Sequence, residues 1–272
     1  MKNLNYLILL LLLLVSCENK AQSNDPIPVH DTFNITSNQV GETRVINVWT
    51  PPMYKEGTDS FPVLYMPDGG IKEDFPHVAN TIAKLIKEKS IPPIILVGIE
   101  NTKRGRDLTG FSETKEDEEY CPLTDGAKNF RAFITQELMP KINSEYRTTS
   151  KKGIIGESLA GLFVVETFMQ QPNSFDFYIA IDPSIWWNDH YIVKNAKSAL
   201  ANLPNKNLKL WFAGSSLENH KYSIARYTNQ LADILKDNTP DQLKWKYSYE
   251  PNEKHNTIFR ATKEKALKWA LN

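Results

Sequence analysis

Cysteine is almost absent from this chain of 272 residues: Cys17 and Cys121 are the only two. Cys17 lies at the end of an export signal, so a disulfide framework is excluded and stability has to come from a buried apolar core. Charge of one sign is lacking as well. The 32 Lys and Arg balance 32 Asp and Glu, both signs are interspersed, and without a basic stripe nothing points to nucleic acid as a partner. Long apolar runs are missing except for Leu7 to Val15, which falls short of the roughly 20 residues that span a bilayer. The 5 histidines show no ligand spacing and Cys121 has no Cys partner, so neither a metal site nor a cofactor is expected. There is no internal repeat, and the acidic run Glu116 to Glu119 reads as a solvated loop.

The one apolar run follows Lys2 and precedes Ser16-Cys17, which fits a cleaved export signal better than a permanent anchor. Leu14-Val15-Ser16-Cys17 resembles a bacterial lipobox, in which the Cys is diacylated and becomes the new N-terminus. The alternative is an ordinary signal peptide that happens to contain a Cys. The lipobox reading gives residues 1–17 as a lipoprotein signal with Cys17 as the lipidation site, residues 18–28 as a flexible tether, and residues 29–272 as a single α/β domain. Such a protein is exported and held by its lipid at the periplasmic or cell-surface face of a membrane.

Along the domain, Asp31 to Asn38 and Thr43 to Thr50 alternate well enough for an antiparallel hairpin closed by Pro51-Pro52. Short apolar runs separated by helical periods follow, the pattern of a mostly parallel sheet covered by helices on both faces. The strands are expected at Phe61 to Met66, Ile94 to Ile99, Gly153 to Gly156, Phe177 to Ile181, Leu208 to Ala213 and Lys244 to Tyr249. Helices are expected at Phe75 to Lys89, Gly126 to Tyr146 with Pro140 bending or ending it, Leu159 to Gln170, Ile224 to Leu235 and Ile258 to Leu271. Glu100 to Thr124 reads as a polar loop.

Gly156-Glu157-Ser158-Leu159-Ala160 falls where a short buried strand meets a helix, the context that gives a G-x-S-x-G-like motif its meaning. A serine hydroxyl is a poor nucleophile at neutral pH and needs a base, which the α/β-hydrolase order of Ser, acid, His puts after the last strand. His255 stands there, while His30, His77, His190 and His220 fit the position less well. For the orienting acid, Glu218 beyond the strand Leu208 to Ala213 is preferred. Asp182 at the end of the preceding strand is the alternative, although Asp-Pro-Ser is also an ordinary turn. Negative charge on the carbonyl oxygen calls for backbone amides: Leu159 supplies one, and Gly69 or Gly70 in the loop Pro67-Asp68-Gly69-Gly70 the other. Trp186 and Trp187 either wall a ligand site or pack the segment Asn188 to Leu203 against the body.

Tyr65-Met66-Pro67-Asp68-Gly69-Gly70, Val97-Gly98-Ile99-Glu100-Asn101, Arg106-Asp107-Leu108-Thr109, Tyr146-Arg147-Thr148, Gly153 to Phe163 and Asp182-Pro183-Ser184-Ile185-Trp186-Trp187 occur in the order seen in the "putative esterase" family of α/β-hydrolases. Its members include siderophore esterases, feruloyl and acetylxylan-type esterases and S-formylglutathione hydrolases. The resemblance runs from about Asp31 to the end and is strongest toward the siderophore-esterase-like branch. It implies a metal-independent serine esterase that forms an acyl-enzyme, with Ser158 as nucleophile and His255 as base. It also implies that Arg104 or Arg106 faces an acidic substrate, the plainer alternative being a surface salt bridge. Ala160 departs from the commoner Gly, and Asp182 stands where Ser is frequent. A siderophore-type ester is the expected substrate, a feruloyl- or acetyl-bearing carbohydrate the second. A non-catalytic binding lipoprotein on the same scaffold is the reading from another class.

Overall fold

The computed structural model of the protein describes residues 25–217 and 224–272. Eight strands form one sheet in the order β1-β2-β4-β3-β5-β6-β7-β8, with β1 Asp31–Thr36, β2 Thr43–Trp49, β3 Phe61–Pro67, β4 Ile95–Ile99, β5 Thr148–Glu157, β6 Phe177–Ile181, β7 Leu208–Gly214 and β8 Leu243–Tyr249. β1 and β2 pair antiparallel, as does β2 with β4, and every later pairing is parallel. This is the α/β-hydrolase architecture expected from the alternation of apolar runs and helical periods.

Helices cover both faces because successive strand residues point to opposite sides. Val63 and Tyr65 join one core with residues of α4 Gly126–Ala132, α6 Leu159–Gln170, α7 Trp187–Ala201 and α8 Ile224–Asn238. Leu64 and Met66 join the other, under α2 Phe75–Lys87 and α9 Ile258–Leu271. The parallel strands are buried on both faces, so they read as continuous apolar runs.

Four differences from the expected elements have physical causes. β5 is ten residues long, not four, because its first half is polar and largely exposed and gives no apolar signal. The helix expected over Gly126 to Tyr146 runs through Pro140: a π-helical turn, Phe133–Leu138, widens the backbone just before α5 Met139–Glu145 and absorbs the missing proline N–H. The polar loop holds a short helix, α3 Arg104–Leu108, and a 3-10 turn, Lys115–Glu119. Within that turn Asp117 is buried, where its carboxylate accepts from Ser112 Oγ at 2.7 Å and from the Asn188 amide at 2.8 Å, so the acidic run is not simply solvated. Residues 25–28, expected as the end of a flexible tether, are docked: Arg260 pairs with Asp25, and Asn80 Nδ2 donates to the Pro26 carbonyl at 2.7 Å.

α6, which starts directly after Ser158, is fixed from behind by buried charge. Arg131 on α4 donates to Glu166 at 3.1 Å and to Thr167 Oγ1 at 2.9 Å, while Tyr191 on α7 donates to Glu166 at 2.6 Å. Arg131 and Glu166 are both almost fully buried, so removing one leaves the other as an uncompensated charge in the core. Glu166→Ala is therefore expected to destabilise the fold by about 3–5 kcal/mol, measured as a lowered midpoint in urea unfolding with an unchanged slope.

Candidate active site

Ser158 sits between β5 and α6 with φ 60° and ψ −119°, a strained backbone for a residue with a side chain, at a cost on the order of 1–3 kcal/mol. Three hydrogen bonds hold it: its amide donates to Ile181 O at 3.0 Å, and its carbonyl accepts from Leu162 at 2.9 Å and Ser184 at 3.0 Å. The turn is tight. A Cβ on Gly156 would lie 2.5 Å from the Ala160 carbonyl and 2.7 Å from Ala160 Cβ, so the methyl in place of the commoner Gly is tolerated only because Gly156 has none. The strain aims Ser158 Oγ out of the strand at the carboxyl edge of the sheet.

His255 reaches that edge from the loop after β8. Its Nε2 lies 2.9 Å from Ser158 Oγ, and its Nδ1 lies 2.7 Å from Asp182 Oδ2. Asp182 directly follows β6 with φ 42°, is fully buried, and accepts from the Ser215 amide at 2.9 Å and from Ser215 Oγ at 2.7 Å. Three donors on one carboxylate compensate its burial and fix the ring so that Nε2 faces the serine.

This corrects the preference for the acid. An imidazole offers one Nδ1 position, and Asp182 fills it; Glu218 lies outside the described residues. The Asp-Pro-Ser sequence read as a turn is one, and its left-handed first residue turns the carboxylate back under the histidine. The other described histidines are engaged elsewhere: His77 with Asp74, His190 stacked on Tyr227, and His30 with the Pro28 carbonyl. His220 and Cys17 are outside the described residues. Burial pushes the Cys121 thiol up to about 11, which keeps it protonated and removes it as a rival nucleophile.

Leu159 is the first residue of α6, where the opening amides have no partner within the helix. Its N–H stands beside Ser158 Oγ in sequence and at the positive end of the helix. The two glycine amides are committed instead: Gly69 donates to Ile99 O at 2.9 Å as a continuation of the β3–β4 ladder, and Gly70 donates to Glu73 Oε2 at 2.7 Å in a turn that leads into α2. In this arrangement neither is available to an oxyanion.

The two arginines separate. Arg106 is held by Glu42 and Asp107, the salt-bridge alternative. Arg104 grips Asp68 with two bonds of 2.7 Å and brings Nη2 within 3.5 Å of the Glu157 carbonyl, next to Ser158. The tryptophans separate as well. Trp187 is fully buried and its indole donates to the Gly110 carbonyl at 3.0 Å, so it packs the cap segment and is not a ligand wall. Trp186 is half-buried and meets Tyr120 edge-on at 5.3 Å.

Two residues of the site were not singled out from sequence. Ser215, the first residue beyond β7, anchors Asp182. Glu157 places Oε1 3.5 Å from His255 Nε2 with its side chain 8% exposed, and its adjacency to Ser158 was the available signal. Among the described residues, no group of His, Cys, Asp and Glu could hold a metal ion, and no helix is long and apolar enough to cross a membrane.

A family model described as "Putative esterase" matches residues 37–266. The chain belongs to that family. Ferri-bacillibactin esterase BesA of Bacillus subtilis is 28% identical over 236 residues, 78% of this chain and 79% of that one. The apo-salmochelin esterase of Escherichia coli O6:H1 is 25% identical over 253 residues, 86% and 78% of the two chains. Among solved structures, an IroE-like serine hydrolase from Shewanella oneidensis superimposes with a TM-score of 0.82 at 25% identity, covering 89% of this chain and 80% of that one. This esterase is thus a carboxylic ester hydrolase with a Ser, His and Asp hydrogen-bonded in series.

The geometry separates the two carboxylate assignments. Asp182→Asn should lower turnover of p-nitrophenyl butyrate about 10³–10⁴-fold, by analogy with the tautomer loss in serine protease triads, while Glu218→Gln should stay within a few-fold of wild type. Steady-state kinetics on both variants decides it, and the reverse order would return the role to Glu218.

Proposed function

We propose that this esterase is a serine hydrolase acting through an acyl-enzyme on siderophore-type esters. The observation that carries the chemistry is the 2.9 Å approach of His255 Nε2 to Ser158 Oγ, with Asp182 at 2.7 Å behind the ring. His255 takes the hydroxyl proton as Oγ attacks the ester carbonyl carbon, and Asp182 stabilises the resulting imidazolium. The oxygen that gains charge meets the Leu159 amide at the start of α6. Collapse breaks the bond to the alcohol, which leaves with the proton from Nε2. Water then gives its proton to His255, attacks the acyl-serine, and releases the acid and a free serine.

Two features favour a substrate with aromatic and acidic parts. Five of the seven exposed large apolar side chains described, Ile71, Phe111, Tyr120, Leu217 and Tyr249, end or lie in the segments that leave the carboxyl ends of β3, β4, β7 and β8. Arg104 adds a cation at the Glu157 carbonyl, next to Ser158 in sequence. The likeness to proteins named as ferri-bacillibactin and apo-salmochelin esterases supports a siderophore-type ester as the substrate class. A binding protein without catalysis would have no use for a strained serine aligned on a histidine. We place the protein on a membrane through a lipid on Cys17, on the strength of the Leu14-Val15-Ser16-Cys17 pattern.

Ser158→Ala should reduce hydrolysis of p-nitrophenyl butyrate to background while circular dichroism stays unchanged, and an alkyl phosphonate should add its mass to wild type only. Retained turnover in Ser158→Ala would remove the nucleophile assignment. A panel should show kcat/KM for a catecholate siderophore trilactone above that for a feruloylated sugar by tenfold or more, and the opposite ranking would install the carbohydrate-esterase reading. Cys17→Ser should shift the protein from the membrane to the soluble fraction and abolish labelling by radioactive palmitate.

A further inference from the structure

The carboxylate of Glu157 is not used by the mechanism above, yet it lies beside the atom through which every proton passes. Glu157 Oε1 is 3.5 Å from His255 Nε2, on the ring edge opposite Asp182, and the side chain is nearly buried. The imidazolium formed during attack is therefore flanked by two carboxylates, one at each nitrogen.

We propose that Glu157 acts as a second acid for His255, stabilising the protonated ring from the Nε2 side and setting the pH at which the esterase gains its base. An anion this close to a half-buried imidazole favours its charged form. Raising the affinity of the ring for a proton strengthens the base during attack. It also means the resting ring loses its proton only at higher pH, so the acid limb of the rate profile moves upward.

The charges around the ring are known from each element packed on it. Asp182 comes from directly after β6, Glu157 from the end of β5, and Arg104 of α3 sits over the Glu157 carbonyl. Ser215 and Ser216 after β7 are neutral, with the Ser216 amide bound to the Glu253 carbonyl. On the loop of His255 itself are Glu253 and Lys254, and Glu250 is paired with Lys265. Tyr247 on β8 is a neutral phenol whose pKa burial pushes up to about 12. Arg104 is bidentate on Asp68 and its charge also acts on Glu157, while the carboxylates of Glu157 and Asp182 are the ones paired with the imidazole.

The proposal rests on Ser158 and His255 being the catalytic pair, and the test separates the two. Profiles of kcat/KM against pH with p-nitrophenyl acetate, an uncharged ester, are compared for wild type, Glu157→Gln, Glu157→Asp and Ser158→Ala. Glu157→Gln should move the acid-limb midpoint down by about one pH unit, and turnover on the plateau should fall several-fold. Glu157→Asp keeps the charge but withdraws it by one methylene, so its midpoint should lie between the two. It also decides the matter if the Gln variant does not fold. Titration of the His255 imidazole by nitrogen NMR in the inactive Ser158→Ala background should show the same displacement on adding Glu157→Gln. An unmoved midpoint in a folded Glu157 variant overturns the proposal while leaving the nucleophile assignment intact. Full activity in Ser158→Ala would overturn both.

Discussion

A carboxylate removed entirely from water must be met by donors, and Asp182 is met by three: the Ser215 amide, the Ser215 hydroxyl and His255 Nδ1. The site depends on that requirement. The acid cannot turn to solvent, so the ring that completes its shell is held in one orientation and one tautomer, with Nε2 directed at Ser158. Asp182, Ser215 and His255 stand in the segments after β6, β7 and β8, neighbouring strands of the parallel half of the sheet. Their convergence follows from parallel pairing, which brings the carboxyl ends of successive strands to the same edge.

The turn at Ser158 is built by a different constraint, close packing of backbone on backbone. Gly156 has no room for a Cβ against Ala160, and the same crowding exists where β4 meets the loop after β3, since a Cβ on Gly98 would lie 2.5 Å from Gly69 O. Asn47, itself buried, donates to that Gly69 carbonyl at 3.0 Å and so fixes the loop from β2. The strain at Ser158 is sustained by its bonds to Ile181, Leu162 and Ser184, and α6 behind it is locked by the Arg131 and Glu166 pair. Stability in the helical layer thus supports precision at the edge.

The sequence made the sheet legible because parallel strands buried on both faces leave continuous apolar runs; β6 and α6 have the bounds read from their pattern alone. Ser158 and His255 were legible for a related reason, since the motif and the position after the last strand depend on chain order. The acid was not. Glu218 and Asp182 both follow strands between Ser and His, and only the left-handed turn at Asp182 and the Ser215 donors distinguish them, features set by tertiary contact. Trp187 was ambiguous for the same reason: an indole at a sheet edge looks alike whether it faces a ligand or, as here, the Gly110 carbonyl. The polar half of β5 was missed because strand pairing leaves no apolar period there, whereas the helix over Gly126 to Tyr146 was legible and only the π turn that carries it through Pro140 was not.

Charge balance over the whole chain conceals a local arrangement that bears on specificity. At the carboxyl edge, Asp68, Asp182 and Glu157 stand against Arg104, whose Nε and Nη2 are spent on Asp68. An acidic ligand approaching Ser158 therefore does not meet a free guanidinium; it competes with, or adds to, an existing ion pair, and its gain is reduced by what Asp68 already supplies. Apolar surface has no such internal competitor. Ile71, Phe111, Tyr120 and Leu217 are exposed at the same edge, and covering them removes area from water at about 25 cal/mol per Å². For a ligand with aromatic and acidic parts, the physical weight of recognition would accordingly fall on apolar contact, with the Arg104 and Asp68 pair contributing less.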